Sequence, residues 1–203
     1  MDHLSLKREL PMVSIKTQED LKNWLVGCDK DIGGFSEAKL EITKNGTGRF
    51  YGQLSLDLPE NEGVEKSGYA GIRTKTRPSS VFGTPVWDTS LFEYLSLKVK
   101  GDERKYFVNI QTDGVVPTDL YQHRLFLKTP GEWETVLIPF KDFILTNQGF
   151  IQEDQVEMFR ERVKNVGVSI IDRKSGPFEL EIESISAVND GQDSDSQGNE
   201  YKD

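Results

Sequence analysis

Few residues in this sequence have both the types and the spacing that catalysis requires. The chain contains one cysteine, Cys28, and two histidines, His3 and His123. A base-activated nucleophile would need Cys28 beside His123, and general acid–base chemistry would need a carboxylate pair such as Asp29 and Asp31. No motif joins His123 to a nucleophile or an acid, which favours a structural or solvated histidine. The sequence therefore predicts that the protein is not an enzyme.

The two aspartates Asp29 and Asp31 are the one candidate for a metal site. They open a loop that contains the paired glycines Gly33 and Gly34. Calcium requires six to eight oxygen ligands, and two carboxylates supply few of them, so a structural loop is the favoured interpretation. One cysteine and two histidines cannot form an ordinary structural zinc site. We expect no cofactor, with calcium at Asp29 and Asp31 as the weaker alternative.

The charge and hydropathy of the chain argue against two classes of protein. Its 203 residues include 25 Lys plus Arg and 34 Asp plus Glu, which gives a formal net charge of −9. A nucleic-acid-binding protein needs a basic face, so nucleic acid is not expected as a partner. No apolar run is long enough to cross a membrane, and no apolar segment near Met1 marks a secretory signal. A single cysteine excludes an intramolecular disulfide.

A stripe of basic residues is the first candidate for a binding surface. Arg73, Lys75 and Arg77 alternate along a predicted strand and should project from one face of it. Such a local positive stripe on an acidic protein could hold an acidic partner. The alternative is that these charges protect a sheet edge or solvate its outer face. The loop that follows carries Phe82 and Trp87, which either cap the core or form part of a binding surface.

A second candidate surface would bind a small ligand. Phe107, Asn109 and Gln111 share one face of a predicted strand, which mixes an aromatic ring with amides as a ligand-contacting sheet would. Tyr121 and Arg124 lie on a later strand, and together with Trp87 they are our candidates for a carbohydrate-binding platform. The carbohydrate module is therefore the alternative to a protein-binding function.

Strands must position all of these residues. Period-two alternation predicts about nine strands, and Asn45-Gly46 is a strong hairpin signal between Lys39–Thr43 and Gly48–Leu58. We expect Tyr94–Lys100 and Lys105–Gln111 to form a second hairpin. The run Val166–Ile171 should be a central strand, and the phase shift within Phe178–Val188 predicts a β-bulge.

The remaining local signals predict two short helices and one buried aromatic strand. Thr17 can cap a helix over Glu19–Val26, and Asp154 can cap a second helix that includes Val163. The alternation that begins at Trp133 predicts a half-buried strand in which this tryptophan belongs to the core.

Seven segments of the sequence form a set whose order and spacing extend over most of the chain. They are Asp31-Ile-Gly-Gly-Phe-Ser36, Phe50-Tyr-Gly-Gln-Leu-Ser55, Gly68-Tyr-Ala-Gly-Ile-Arg73, Leu95-Ser-Leu-Lys-Val-Lys-Gly101, Lys105-Tyr-Phe107, Trp133-Glu-Thr-Val-Leu-Ile-Pro-Phe140 and Gly176-Pro-Phe-Glu-Leu-Glu-Ile-Glu-Ser184. Each is weak alone, but together they resemble a known family, the complex I intermediate-associated proteins. The resemblance implies an all-β, galactose-binding-like β-sandwich, or jelly roll, with short peripheral helices.

The resemblance also implies a function. It predicts a non-enzymatic, chaperone-like assembly factor that contacts membrane-arm intermediates of respiratory complex I in mitochondria. Peripheral membrane association is compatible with this function. The segment Met1–Leu10 contains Asp2 and Glu9 and does not resemble a mitochondrial presequence, so a cytoplasmic location is the alternative.

We divide the chain into three parts. Residues 1–16 are predicted to be an N-terminal arm, and residues 17–190 the β-sandwich. Residues 191–203 contain almost no apolar side chains and are predicted to be a disordered acidic tail.

Overall fold

The computed structural model, which describes residues 9–58, 60 and 67–189, consists mainly of two antiparallel sheets joined by loops. Sheet A consists of β1 (Glu9–Ser14), β3 (Glu37–Ile42), β4 (Gly48–Leu54), β6 (Tyr94–Gly101), β9 (Glu134–Pro139) and β13 (Gly176–Val188). Sheet B consists of β2 (Trp24–Cys28), β5 (Ala70–Thr74), β7 (Tyr106–Thr112), β8 (Asp119–Leu125), β10 (Ile144–Asn147), β11 (Phe150–Ile151) and β12 (Val163–Ile170). This arrangement agrees with the predicted all-β sandwich.

Sheet A is built around its longest strand, β13. The strand order is β3-β4-β13-β6-β9, and β1 also pairs with β13. The first half of β13 pairs with β4 and the second half with β1, because the register shifts between Ile182 and Ser184. This shift is the β-bulge that the sequence predicts, and the central position of β13 follows from its length. Residues 9–14 of the predicted N-terminal arm thus contribute a strand to the sheet, whereas residues 191–203 lie outside the described part of the chain.

Sheet B has the order β11-β10-β8-β7-β12-β5-β2. The strand β12 lies between β7 and β5, which confirms the predicted central strand. Its apolar residues Val166, Val168 and Ile170 are buried, as are Val108 and Ile110 of β7. These side chains meet the inner face of sheet A and form the core.

Both predicted helices differ from the structure. The helix predicted over Glu19–Val26 is one turn, α1 (Gln18–Leu21), because the apolar residues that follow it enter β2. The helix predicted after Asp154 is absent, and only the 3-10 turn Arg160–Arg162 forms before β12. There the Arg160 guanidinium bonds the carbonyl oxygens of Thr89, Ser90 and Phe92, which holds the segment against a neighbouring loop.

The second predicted hairpin is also wrong, although the first is confirmed. The strands β3 and β4 pair across the turn at Gly46, whose φ is +72°. In contrast, β6 pairs with β13 and β9 in sheet A, whereas β7 pairs with β12 and β8 in sheet B. The link Asp102–Lys105 therefore crosses from one sheet to the other, where the Arg104 side chain fastens it to the turn before β13.

The prediction that Trp133 is buried is wrong, because the inward-facing positions of β9 are shifted by one residue from those predicted. Trp133 precedes β9 and is 38% exposed, with the Lys100 ammonium 5.8 Å from the centre of its ring. The inward positions of β9 are Val136 and Ile138, and Ile138 is 1% exposed. A one-residue shift exchanges the two faces of a strand, so the tryptophan points outward.

We therefore expect Trp133→Ala to lower the free energy of unfolding by only about 1 kcal/mol, because little apolar area leaves the core. Ile138→Ala should cost about 3 kcal/mol, since it opens a cavity in the core. Urea denaturation of both variants measures the difference. Equal losses would place Trp133 in the core after all.

Candidate partner-binding face of sheet B

The outer face of sheet B contains a groove of about 440 Å³. We call it the sheet B groove, and its lining includes Leu25, Arg73, Asn109 and Ser169. Its floor is low because glycines occupy β2, β5 and β12 at adjacent positions. At Gly167 a Cβ atom would lie 2.3 Å from the carbonyl oxygen of Ile72, so no larger residue fits there.

Amide side chains on one wall of the groove are held in place by one another. The Nε2 of Gln122 donates to Asn109 Oδ1 at 2.6 Å, and Asn109 Nδ2 donates to Ser169 Oγ at 2.9 Å. The Nε2 of Gln111 donates to the carbonyl oxygen of Pro117 at 2.6 Å. These bonds fix the wall, so a ligand there would meet an ordered polar surface. The aromatic ring predicted to share this face, Phe107, is half-buried beside Ser169 and Arg124.

The three residues of the predicted basic stripe have different surroundings. Arg73 and Lys75 are exposed, and within the described residues neither makes an ion pair. Arg77 instead lies over the ring of Trp87, with its guanidinium carbon 4.3 Å from the ring centre. Its Nε and Nη2 atoms are buried without a hydrogen-bond partner in the described part of the chain, and burial lowers the pKa of Arg77. Arg73 in β5 and Lys75 just after it therefore remain as two exposed cations without an ion pair in the described residues.

The two aromatic residues of the loop after β5, Trp87 and Phe82, also have different surroundings. Trp87 is half-buried against the core, and its backbone pairs with that of Val163. It therefore caps the core. Phe82 is 97% exposed at the tip of a turn closed by two backbone bonds between Ser80 and Gly83. Only Phe82 is presented to solvent.

The candidate carbohydrate platform does not assemble. Tyr121 is 7% exposed, and its hydroxyl donates to the carbonyl oxygen of Glu157. Arg124 faces the opposite side of β8 and stacks on Phe126 at 4.8 Å. The period of two along β8 therefore separates the two residues, and Trp87 pairs with Val163 of β12, two strands away from β8. Tyr121 belongs to the core and not to the accessible surface.

The residues that could act as nucleophile and base are far apart. Cys28 is buried, and its thiol donates to the carbonyl oxygen of Ser36 at 3.3 Å. The Nδ1–H of His123 donates to the carbonyl oxygen of Arg124 at 2.7 Å. Three strands lie between β2 and β8, which corresponds to about 19 Å. The two side chains cannot act on one substrate in this arrangement.

The candidate calcium ligands Asp29 and Asp31 already have other contacts. Asp29 is fully buried, and its carboxylate accepts bonds from the backbone N–H groups of Ser36 and Gly68 and from the Ser36 hydroxyl. Asp31 accepts a long bond from Cys28 N at 3.4 Å. In the residues that the structure covers, no group of three or more His, Cys, Asp or Glu could hold a metal ion. The geometry gives Asp29 a structural role as the anchor of its loop.

The sequence and the fold both match proteins of known family. A family model, Complex I intermediate-associated protein 30, matches residues 13–182. The chain belongs to this family. The resemblance inferred from the seven segments is thereby confirmed.

Relatives in the Complex I intermediate-associated protein 30 family are similar along most of the chain. The Neurospora crassa protein, named Complex I intermediate-associated protein 30, mitochondrial, is 41% identical over 201 residues, which cover 87% of this chain and 72% of the relative. Proteins of the same name in Drosophila melanogaster and Mus musculus are 34% and 33% identical and are covered over 60% and 55% of their lengths. The chain thus spans less than two thirds of these two relatives.

The solved structures that resemble this family member define its fold. A family 11 carbohydrate-binding module from Clostridium thermocellum, in complex with a mixed-linked tetrasaccharide, has a TM-score of 0.53 at 17% identity and covers 89% of this chain and 95% of its own. A family 30 carbohydrate-binding module also has a TM-score of 0.53, at 14% identity, and covers 96% and 92%. At this identity the likeness concerns architecture alone. It confirms the predicted galactose-binding-like jelly roll.

Sequence reasoning missed the residues that distinguish this face. The groove floor depends on Gly27, Gly71 and Gly167 being neighbours across three strands, and β-pairing of distant segments is not visible in local patterns. The absence of charge from Trp24–Cys28 is visible in the sequence and could have identified an unprotected strand.

Proposed function

We propose that this protein is a mitochondrial assembly factor of respiratory complex I that acts without catalysis. The family match and the names of the relatives support this function, since those names carry both the complex and the organelle. The names agree with the mitochondrial location that the resemblance implies. Within the described residues, no helix is long and apolar enough to cross a membrane.

We further propose that the protein works in a chaperone-like manner, by holding partner polypeptides on the outer face of sheet B. The observation that carries this mechanism is the pair of exposed cations at the end of β5, Arg73 within the strand and Lys75 just after it. Arg73 borders the sheet B groove, and Lys75 lies two residues further along the same face. On a chain with a net charge of −9, two exposed cations without ion-pair partners among the described residues suit a partner with carboxylates.

The arrangement of the titratable residues supports a function without catalysis. A hydrolase or transferase would need a nucleophile and a base within hydrogen-bond distance. Cys28 and His123 are instead separated by three strands, and the Asp29 carboxylate is occupied by backbone N–H groups. These side chains stabilise the sandwich.

Reversing the two charges should weaken partner binding. In the double variant Arg73→Glu, Lys75→Glu, we expect the amount of complex I subunits that co-purify with the tagged protein from mitochondria to fall about tenfold, because like charges would then face the partner. Quantitative mass spectrometry of the purified material measures the change.

A matched control comes from the other sheet. Lys39 and Lys44 lie on and beside β3, and both are exposed, so Lys39→Glu, Lys44→Glu changes the net charge equally on a different surface. We expect this control to retain wild-type recovery. Equal recovery with both double variants would reject the outer face of sheet B as the binding surface. If the wild-type protein recovers no complex I subunit, the proposed function itself fails.

A further inference from the structure

Among the described residues, five outer strands have a single partner, and they differ in how they are protected from further pairing. In sheet A, β1 carries Glu9 and Pro11, β3 carries Glu37, Lys39 and Glu41, and β9 ends in Pro139. In sheet B, β11 is only two residues long. Charges, proline and short length are the usual protection of sheet edges. The remaining outer strand, β2, has none of them, since its five residues Trp-Leu-Val-Gly-Cys are uncharged.

The backbone groups on the outer side of β2 can be identified from its register with β5. Lys75 N donates to the carbonyl oxygen of Asn23, and Asp29 N donates to that of Tyr69. Odd-numbered residues of β2 therefore bond β5, and even-numbered residues direct their N–H and C=O groups away from it. Cys28 agrees with this parity, because its N–H is bonded to Asp31 Oδ2 and not to β5. The backbone groups of Trp24 and Val26 consequently point away from β5, and of these two residues Val26 is accessible at 42% exposure, whereas Trp24 is only 5% exposed.

The side chains along this edge are apolar and accessible. Leu25 is 39% exposed and Val26 is 42% exposed. In the loop that follows β2, Ile32 is 45% and Phe35 57% exposed. Leu25 and Val26 also form one end of the sheet B groove, so the open edge is continuous with it.

Charged side chains of opposite sign lie near the two ends of this edge. Arg73 lies directly opposite Leu25 in β5, on the same face of the sheet, and the Asp31 carboxylate covers the outward N–H of Cys28 at the end of β2. A partner carboxylate would therefore meet Arg73 only at the Leu25 end. A strand added beside β2 would lie two strand spacings, about 10 Å, from β5. An arginine side chain and a glutamate or aspartate side chain together bridge that distance. The edge thus combines unpaired backbone groups, apolar side chains and one cation that lacks an ion pair in the described residues.

We propose that the free edge of β2 binds an extended, acidic segment of a partner polypeptide, which adds a strand to sheet B. The main chain of the segment pairs with Val26, its apolar side chains cover Leu25 and Val26, and its carboxylate meets Arg73. This inference rests on the proposed function and specifies how the partner is held.

Val26→Pro is the most direct variant for testing this mode of binding. Proline removes the outward N–H of Val26 and leaves the pairing between β2 and β5 intact, and proline is tolerated on edge strands where the N–H faces solvent. Val26→Thr is the control for the side chain, because it retains the N–H. Ala38→Pro is the matched control for proline, since Ala38 has the same outward orientation in the outer strand β3.

The measurement is recovery of complex I subunits with each tagged variant from mitochondria, after thermal unfolding has shown which variants fold like the wild type. We expect Val26→Pro to reduce recovery at least tenfold, and Val26→Thr and Ala38→Pro to retain it. Hydrogen exchange of the β2 amides in the wild-type complex gives a second measurement that requires no variant. We expect exchange at Val26 to slow at least tenfold on binding.

Four results would overturn the inference. Wild-type recovery with a folded Val26→Pro protein, or unchanged exchange at Val26 in the complex, would reject strand addition and leave the proposed function standing. A wild-type homodimer that Val26→Pro converts to a monomer would identify a second copy of this chain as the occupant of the edge. Failure of the wild-type protein to recover any complex I subunit would remove the proposed function and this inference with it.

Discussion

Replacing Asp29 by alanine should lower the free energy of unfolding by about 4 kcal/mol, because the change leaves several buried donors without an acceptor. The carboxylate accepts the Ser36 N–H at 2.9 Å, the Ser36 hydroxyl at 2.8 Å and the Gly68 N–H. These bonds join the loop after β2 to the segment before β5. Gly34 is packed so tightly against Asp29 that a Cβ atom there would lie 2.5 Å from Oδ1, so the loop closes directly onto the carboxylate.

Chemical denaturation of Asp29→Ala and Asp31→Ala tests this anchor. Asp31 is exposed and accepts one long bond, so Asp31→Ala should cost less than about 1 kcal/mol. Asp29→Asn should fall between the two, since its amide oxygen accepts one N–H while its NH₂ group meets another donor. Similar losses for Asp29→Ala and Asp31→Ala would contradict the structural role. A rise in Tm of the wild type on adding millimolar calcium would support the ion-binding alternative instead.

Local patterns predicted strands well and strand partners less well. Leu95, Leu97 and Val99 are fully buried, as their alternation indicates, because burial of one face is written into each strand separately. The pairing of β6 depends on β9 and β13, which lie far along the chain, and a short link such as Asp102–Lys105 is compatible with a hairpin or with a crossing between sheets. Trp133 shows the same limit, since period-two alternation leaves the choice of face open when apolar residues lie on both sides.

The candidate site could be predicted only in part, because it also depends on contacts between segments that are distant in the sequence. Alternation correctly placed Arg73 and Lys75 on the outer face of sheet B. It could not show that Arg77 turns onto Trp87, which is ten residues away, or that Tyr121 points into the core. Those outcomes depend on tertiary packing, and so does the open edge of β2, which exists only because no described strand takes the place beside it.

The buried pair Arg104–Asp172 was also invisible in the sequence, and it should be as important for stability as Asp29. The Nε and Nη2 atoms of Arg104 donate to the two oxygens of Asp172 at 2.6 and 2.8 Å, and the Asp172 side chain has no exposed surface. Arg104 also donates to the carbonyl oxygens of Lys174, Gly176 and Pro177. It therefore holds the turn that leads into β13, the central strand of sheet A.

Arg104→Met should lower the free energy of unfolding at neutral pH by about 4 kcal/mol, because it leaves the buried Asp172 carboxylate without a counter-charge. Arg162→Met is the matched control, since it breaks an ion pair with Asp113 in which both side chains are about 40% exposed. Arg162→Met should lower the free energy of unfolding by less than about 1 kcal/mol. Equal losses in urea denaturation would mean that the buried pair contributes no more than a surface pair.

The loss caused by Arg104→Met should shrink in acid. Burial alone raises the pKa of Asp172, but the bonds from Arg104 and from the backbone N–H groups of Lys105 and Lys174 outweigh it and hold the pKa below its ordinary value. In the wild type this carboxylate thus contributes stability above about pH 4, which is lost as the pH falls through the lowered pKa. Without Arg104, burial is the dominant influence on the pKa of Asp172. Protonation of this carboxylate as the pH falls then removes the buried, unpaired charge that destabilises the variant. The unfolding free energies of the wild type and Arg104→Met should therefore converge below about pH 4. A difference that stays constant from neutral to acid pH would show that the lost bonds to the carbonyl groups, and not the ion pair, cause the destabilisation.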